Sequence, residues 1–313
     1  MVAPTSFFLD YGCHVRILEE ARVLQKLGHQ VTLITYFQGR DLPGLEIIRT
    51  RPTPWRAEYE VGSSLHKLAF DLFLGWTGLQ VVARRRFDLV HGHLHEGMLI
   101  GHFLSRLQRV PLVGDVQGSL TGEMVAHHFL DPTGPWFRWV RLLEARIVEL
   151  PDVIVTSSHQ TANMIERDFR NGGRPVHALP DCVNLDFFRP GLLDAREVAI
   201  RRAALGIPPG RPVVVYLGLL ADYQGTPQLI RAARLLRDRG VDVHLLIMGF
   251  PAVELYRQMA LEQGVGERVT FTGKVPYERA PEHLALGDIA VACLLYTSDA
   301  ADDLLCVDLG GRR

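Results

Sequence analysis

The sequence predicts an α/β protein of two doubly wound parallel-sheet domains, the second incomplete. Three observations predict it. Short β-branched runs alternate with longer stretches of helical period, the alternation occurs in two series, and a Pro-, Gly- and Asp-rich passage without period separates them. The second series stops after four strands, where doubly wound domains commonly use about six.

In the first series VTLITY (31–36), LEII (45–48), DLVHGH (88–93), PLVGDV (111–116) and DVIVTS (152–157) read as strands. The first helix, about 14–27, sets Val15, Leu18, Ala21, Leu24 and Leu27 near one face, and Gly28 ends it as a C-cap. Only Met1 to Pro4 precede it as a strand. A buried strand usually has about 5 or 6 residues, so a few more are expected upstream. The second series is PVVVYLG (212–218), VHLLIMG (243–249), VTFTG (269–273) and DIAVA (288–292). The domains are therefore set at 1–178 and 196–292, with a crossing at 179–195 and a separate tail at 293–313.

Composition narrows the function classes. With 47% hydrophobic and 22% charged residues the 313-residue chain is not disordered, and 34 basic against 35 acidic residues give no field for nucleic acid. Cys13, Cys182, Cys293 and Cys306 form neither a CxxC pair nor a zinc spacing, which suits a reducing cytosol. The N-terminus does not read as a signal peptide. Residues 65–83 are apolar but interrupted by His66, Lys67 and Asp71, and read as a soluble helix. No GxGxxG follows a predicted strand, and neither GxxxxGK[ST] nor GxSxG occurs.

In order from Pro4 to about Ala292 the chain carries Gly12 before the first helix, LGHQVTLIT, HGHLHEG, DVQGS, PDCVNLDFFRP, YLGLLADYQG, IMGFP and VTFTGKVPYE. Together these resemble the family 4 retaining glycosyltransferases of GT-B fold. The resemblance implies two Rossmann-like domains facing across a cleft, with the acceptor mainly on the first and the donor mainly on the second. It implies a UDP- or GDP-sugar donor, a glycan, lipid-linked or small-molecule acceptor, retention of configuration and no obligatory metal. A cytoplasmic protein, with peripheral contact at the inner membrane face, fits this reading.

The candidate residues lie where strands end. Gly12 suits a phosphate at a helix N-terminus or a plain steric turn, and the resemblance favours the donor phosphate. His91, His93 and His95 alternate at a strand end, aimed to one side if the strand continues. HGHLHE begins like a zinc-gathering His-x-His-x-Asp-His pattern, but His95 and Glu96 stand where Asp and His are wanted. By resemblance His93 borders the reaction centre, and His95 the substrate; a hydrogen-bonded structural imidazole is the competing reading. Asp115 and Gln117 follow the next strand. The family often has a histidine where Gln117 stands, and a glutamine orients hydroxyls but is no general base, leaving Asp115 or Glu123 to supply charge.

On the donor side the candidates are Gly218, Gln224, Gly225, Gly249, Phe250 and Lys274, with Asn184 in the crossing facing the substrate or forming a turn. The family usually places an Arg after Gly218 and a Lys before Gly225; Leu219 and Gln224 stand there. Both departures remove charge from a diphosphate site. Gly249, Phe250 and Pro251 suit either a base pocket or a tight turn.

Trp136, Phe137, Trp139, Val140, Leu142 and Leu143, interleaved with Arg138 and Arg141, are read as core packing in preference to an interfacial helix. Arg84, Arg85 and Arg86 read as a solvated helix end. From Cys293 on, CLLYTSDAADD and CVDLGGRR resemble translated sequencing adapter and are expected to be read-through. The resemblance places a glutamate pair just beyond DIAVA, so the 313-residue polypeptide is expected to be inactive or nearly so. A GT-B-fold nucleotide-sugar epimerase and a non-catalytic sugar-nucleotide-binding relative remain as alternatives.

Overall fold

A computed structural model of the chain describes residues 1–9, 12–52, 65–126, 129–169 and 172–292. The tail read as non-native lies outside the described residues. The chain divides into two compact units, with the boundary between Cys182 and Val183.

The first unit runs β1 (Val2–Ala3), α1 (Gly12–Lys26), β2 (Thr32–Thr35), β3 (Glu46–Arg49), α2 (Leu65–Arg84), β4 (Val90–His93), α3 (Leu94–Gln108), β5 (Leu112–Val116), α4 (Leu120–Ala126), α5 (Pro135–Val148), β6 (Val153–Thr156), α6 (His159–Asp168) and β7 (Val176–Ala178). Its sheet is parallel in the order β3-β2-β1-β4-β5-β6-β7. The order reverses between β1 and β4, which opens a crevice at their carboxyl ends. The sequence missed β7, a three-residue strand, VHA, too short to show a period.

Phe70, Leu74 and Val81 of α2 and Leu104 of α3 share a core with Val2, Ile34, Val90 and Leu112 of the strands. A second core joins Met98 of α3 to Ile147 and Val148 of α5. Close approach of α3 to the sheet explains two glycines of HGHLHEG: a Cβ on Gly92 would stand 2.5 Å from the Gly97 carbonyl oxygen, and one on Gly97 2.7 Å from that of Val2.

Two sequence expectations about faces are corrected. In α1 the buried side is His14, Arg16, Ile17, Leu18, Glu19 and Ala21, whereas Leu27 is 69% exposed. Apolar counting missed this because two charged residues are buried by pairing. In α5 only Glu144, Ile147 and Val148 are buried, while Trp136 and Trp139 are 71% and 66% exposed. Their stripe is not core, because the buried glutamate turns the opposite side of α5 inward.

The second unit runs α7 (Ala195–Ala204), β8 (Val213–Leu217), α8 (Thr226–Asp238), β9 (His244–Met248), α9 (Val253–Glu262), β10 (Val269–Gly273), α10 (Ala280–Leu284) and β11 (Ile289–Ala290). Asp194 and Glu197 close a reciprocal capping box on α7. The described strands pair in parallel in the order β10-β9-β8-β11, reversing at β8. No helix among the described residues is long and apolar enough to cross a membrane.

Candidate functional site

Alternation along a strand puts His91 and His93 of β4 on one face, and the register sets His93 beside Asp115 of β5. α1 covers that face. From it Arg16 Nε lies 3.1 Å from both Asp115 carboxylate oxygens, and Nη2 lies 2.8 Å from Oδ1. Arg16 Nη1 donates to the Leu179 carbonyl at 2.8 Å and to Asp181 at 2.7 Å, while Nη2 stands 2.9 Å from Glu20. His93 Nδ1 is 3.0 Å from Asp115 Oδ2, and Gln117 Nε2 donates to the same oxygen at 2.7 Å. The His91 ring stacks on His93 at 4.3 Å.

Burial alone would raise the Asp115 carboxyl. The hydrogen bonds and charges of His93 and Arg16 more than offset it and hold the group well below the usual carboxylate range. Burial pushes Glu20 up to about 7 against the opposing pull of His93 and Arg16. Burial, and then His93, keep His91 neutral by lowering its pKa. Glu20, His91, His93 and Asp115 have ligand atoms within 4.8 Å of one another, a spacing that can gather a metal ion. Arg16 already sets a fixed cation against two of these carboxylates, so the cluster reads as a guanidinium cage.

His93 and Asp115 are 0% exposed. They form the floor of the site and do not present reactive atoms at its surface. Gln117 is half-buried, and since its amide nitrogen is held by Asp115, its carbonyl oxygen remains to accept from a hydroxyl. Gly12, the first residue of α1, is exposed, and a Cβ there would meet nothing within 4 Å, so sterics do not demand glycine.

The row of three histidines is broken. The chain leaves β4 at Leu94, which has φ +59°, and His95 enters the first turn of α3 with Nε2 3.7 Å from Glu144. Glu144 accepts from the Ser119 hydroxyl at 2.8 Å and from the Thr121 hydroxyl, and Arg141 lies 3.1 Å away. That carboxylate ties α5 to the start of α4. Glu123, on α4, has its carboxyl raised by desolvation and by Glu96 and Glu144, against Lys67.

Lys67 pairs with Glu96 at 2.5 Å. Nearby, burial and then Glu96 push Asp71 up to about 7, although the Tyr36 hydroxyl donates to it at 2.6 Å. Below the unfolded value near 3.9, aspartate is protonated in both states; as pH rises toward 7 only the unfolded chain ionises, so stability is lost. Asp71→Asn is therefore expected to gain stability relative to the parent between pH 4 and 7, levelling above 7. Urea midpoints across that range check it, and a constant difference refutes it.

In the second unit three strand ends are laced by backbone bonds. Gly218 N–H donates to Met248 at 3.0 Å, Gly249 N–H to Gly273 at 2.9 Å and Leu220 N–H to Phe250 at 2.9 Å. The amides of Gly218 and Gly249 are thus engaged, and the chain passes from β9 to α9 through Gly249, Phe250 and Pro251. Gly225, at φ 76°, donates to Asp222 and turns the chain from the short 3-10 segment containing Gln224 into α8. There the Thr226 hydroxyl is buried without a hydrogen-bond partner among the described residues. Lys274 stands with Nζ 5.0 Å from the Phe250 ring centre. Asn184 forms a turn: its side-chain oxygen accepts from Asp186 N–H at 3.0 Å, and its carbonyl from Phe187 and Phe188.

Sequence reasoning missed Arg16, Glu20, Lys67 and Glu144. The one available signal was the Arg16–Glu20 pair at i, i+4, on the side of α1 taken as polar.

Residues 12–187 match the family model described as Glycosyltransferase Family 4, and residues 198–300 that described as Glycosyl transferases group 1. D-inositol 3-phosphate glycosyltransferase of Corynebacterium glutamicum (strain R) is 27% identical over 283 residues, covering 85% of this chain and 65% of the relative. GDP-mannose-dependent alpha-(1-6)-phosphatidylinositol monomannoside mannosyltransferase of Mycolicibacterium smegmatis is 38% identical over 150 residues, 47% of this chain and 38% of the relative. The chain thus spans less than two thirds of these relatives. Among solved structures, sucrose-phosphate synthase from Thermosynechococcus elongatus superposes with TM-score 0.72 at 18% identity, over 93% of this chain and 74% of that one. Anabaena Alr3699/HepE in complex with UDP and glucose gives 0.66 at 16%, over 93% and 72%. The likeness to these two structures is one of fold.

Proposed function

The chain belongs to glycosyltransferase family 4, and from that membership we propose that it serves transfer of a sugar, with retention, from a nucleotide-sugar to the hydroxyl of a polyol or glycan acceptor. The observation that carries the donor half is the start of α8. There a left-handed Gly225 opens the helix at the sheet's point of reversal, and the buried Thr226 hydroxyl lacks a partner among the described residues. A helix N-terminus favours phosphate through its unpaired amides and its dipole. With Leu219 and Gln224 in place of cations, this terminus and Lys274 are the compensation proposed for the diphosphate.

The HepE structure holds UDP and the mannosyltransferase is named for GDP-mannose, so the donor is a UDP- or GDP-sugar. The relatives' names point to an inositol phosphate or a lipid-linked inositol as acceptor class. Gln117 is assigned to orient the attacking hydroxyl. Asp115 is buried, ionised and occupied by three donors, so it positions Gln117 and takes no proton. A reducing, cytoplasmic setting belongs to the same reading.

Equilibrium titration of the 313-residue chain with UDP-glucose and GDP-mannose tests the donor half. One of them is expected to saturate it. Thr226→Val keeps the shape and removes an unpartnered polar atom, so it leaves stability unchanged or raised. It should nevertheless weaken nucleotide binding about tenfold, the effect of losing about one hydrogen bond to a charged group. Gln117→Ala should leave nucleotide binding alone. Failure of both donors to bind defeats the reading. The loss of cations at Leu219 and Gln224 favours one rival, a non-catalytic sugar-nucleotide binder, for which the full-length protein would bind the donor without acceptor-dependent release of nucleotide.

A further inference from the structure

Helices α2, α3 and α5 lie side by side on the sheet face opposite α1, joined through the cores around Leu104 and Met98. Their outer surface is apolar. α2 turns Leu72 and Trp76 outward, α3 Phe103 and Leu107, and α5 Trp136 and Trp139, each at least 61% exposed. Monomeric soluble proteins rarely present a contiguous apolar area of this kind without a partner.

Charge on the same three helices is sorted by side. The acidic residues face inward, Asp71 to Tyr36, Glu96 to Lys67 and Glu144 to Thr121. Every exposed charged residue among their described side chains is an arginine: Arg84, Arg106, Arg138 and Arg146. Between the last turns of α2 and α3 lies a slot of about 540 Å³, with Leu79, Val82 and Leu107 lining it alongside Arg84, Arg85 and Arg86. An apolar lining beside guanidinium groups matches an acyl chain below a phosphate headgroup.

We propose that the α2–α3–α5 face docks on the surface of an anionic lipid bilayer, with tryptophans and phenylalanine at headgroup level and the arginines on lipid phosphates. Aromatic side chains and cationic residues on one helical surface are the physical signature of interfacial binding, and negative surface potential adds to it with each arginine. Charge argues against the other occupants. A second copy meeting the same face would set arginines against arginines with no exposed acid on these helices to relieve them. The purpose of docking rests on the acceptor reading, since His95 and Glu96 at the start of α3 would then meet a lipid-linked acceptor at the interface; the docking itself does not.

Flotation of the 313-residue chain with phosphatidylcholine vesicles, with and without phosphatidylglycerol, tests the proposal. Partition is expected to rise at least about tenfold with the anionic lipid and to fall as salt is added. Trp76→Ser with Phe103→Ser should abolish it, and Arg84→Gln, Arg106→Gln and Arg138→Gln together should remove the preference for anionic lipid. These side chains are exposed, so thermal melting should be unchanged. Equal partition into both vesicles, no partition at all, or a dimer dissolved by Trp76→Ser in the absence of lipid binding would each overturn it. Nucleotide titration of the same preparations separates the two readings: vesicle binding without nucleotide binding sinks the transferase and leaves the docking face, and the reverse result does the opposite.

Discussion

Asp115→Ala is expected to destabilise the first unit by about 3–5 kcal/mol, the usual cost of removing one partner from a buried ion pair. The variant leaves the Arg16 guanidinium, with 3% of its side chain exposed, facing an empty space where it had two carboxylate oxygens. It also strips the anchor from His93 Nδ1 and Gln117 Nε2. Glu20 and Asp181 remain beside Arg16, and Glu20 is expected to ionise in response, which limits the loss. Asp115→Asn, which keeps an acceptor but not the charge, should fall between the parent and the alanine variant. Because the folded-state pKa of Asp115 is depressed, its contribution is present above the unfolded value of about 3.9 and lost as pH falls below it. The gap between parent and Asn variant should therefore narrow in acid. Urea unfolding at pH 7 and pH 3 checks both statements, and a loss under about 1 kcal/mol for Asp115→Ala at pH 7 contradicts the anchor role.

The contrast between Asp115 and Arg16 shows what was legible in the sequence. Asp115 was found because it closes a strand in a doubly wound pattern, where ligand sites lie. Arg16 was not, because a helix face is read from apolar spacing, and a buried arginine is inferred only once its carboxylate is known to lie opposite. β4 and β5 had to be placed in register before Arg16 acquired a reason to be inside. The histidine row failed for a related cause: HGHLHEG carries strand-like alternation through the point where Leu94 turns the chain into α3, so period alone could not locate the break. The exposed tryptophans of α5 were read as core because amphipathic spacing does not say which side is wet. Glu144 decides it, since a carboxylate with hydroxyl partners on α4 satisfies burial and leaves the apolar stripe outside. Most strands, in contrast, followed from short β-branched runs, which are properties of the local chain, while their order in the sheet came from the structure.

Gly249→Ala is expected to be at least as damaging to the second unit. A Cβ at this position would lie 1.9 Å from the Gly218 carbonyl oxygen and 3.1 Å from Leu220 Cδ2, and the nearer partner is backbone, which cannot turn aside as a side chain does. Relief requires moving the end of β8 away from β9. That movement strains the bonds from Gly218 N–H to Met248 and from Leu220 N–H to Phe250, which hold the two strand ends together. Overpacking costs about 1–3 kcal/mol, and each buried backbone group left unpaired adds about 1–3 kcal/mol, so a loss of about 4 kcal/mol or more is expected. Gly273→Ala is the control. Gly273 also stands at a strand end, has φ 75°, and its added Cβ would meet nothing within 4 Å, so only the left-handed conformation is penalised, by about 1–2 kcal/mol. Chemical unfolding of the two variants separates crowding from conformation: equal losses would show that the Gly218 contact relaxes without cost. The same comparison reaches the proposed donor site, because the chain from Gly218 to Gly225 sets where α8 begins. Nucleotide binding should therefore disappear in Gly249→Ala and survive in Gly273→Ala.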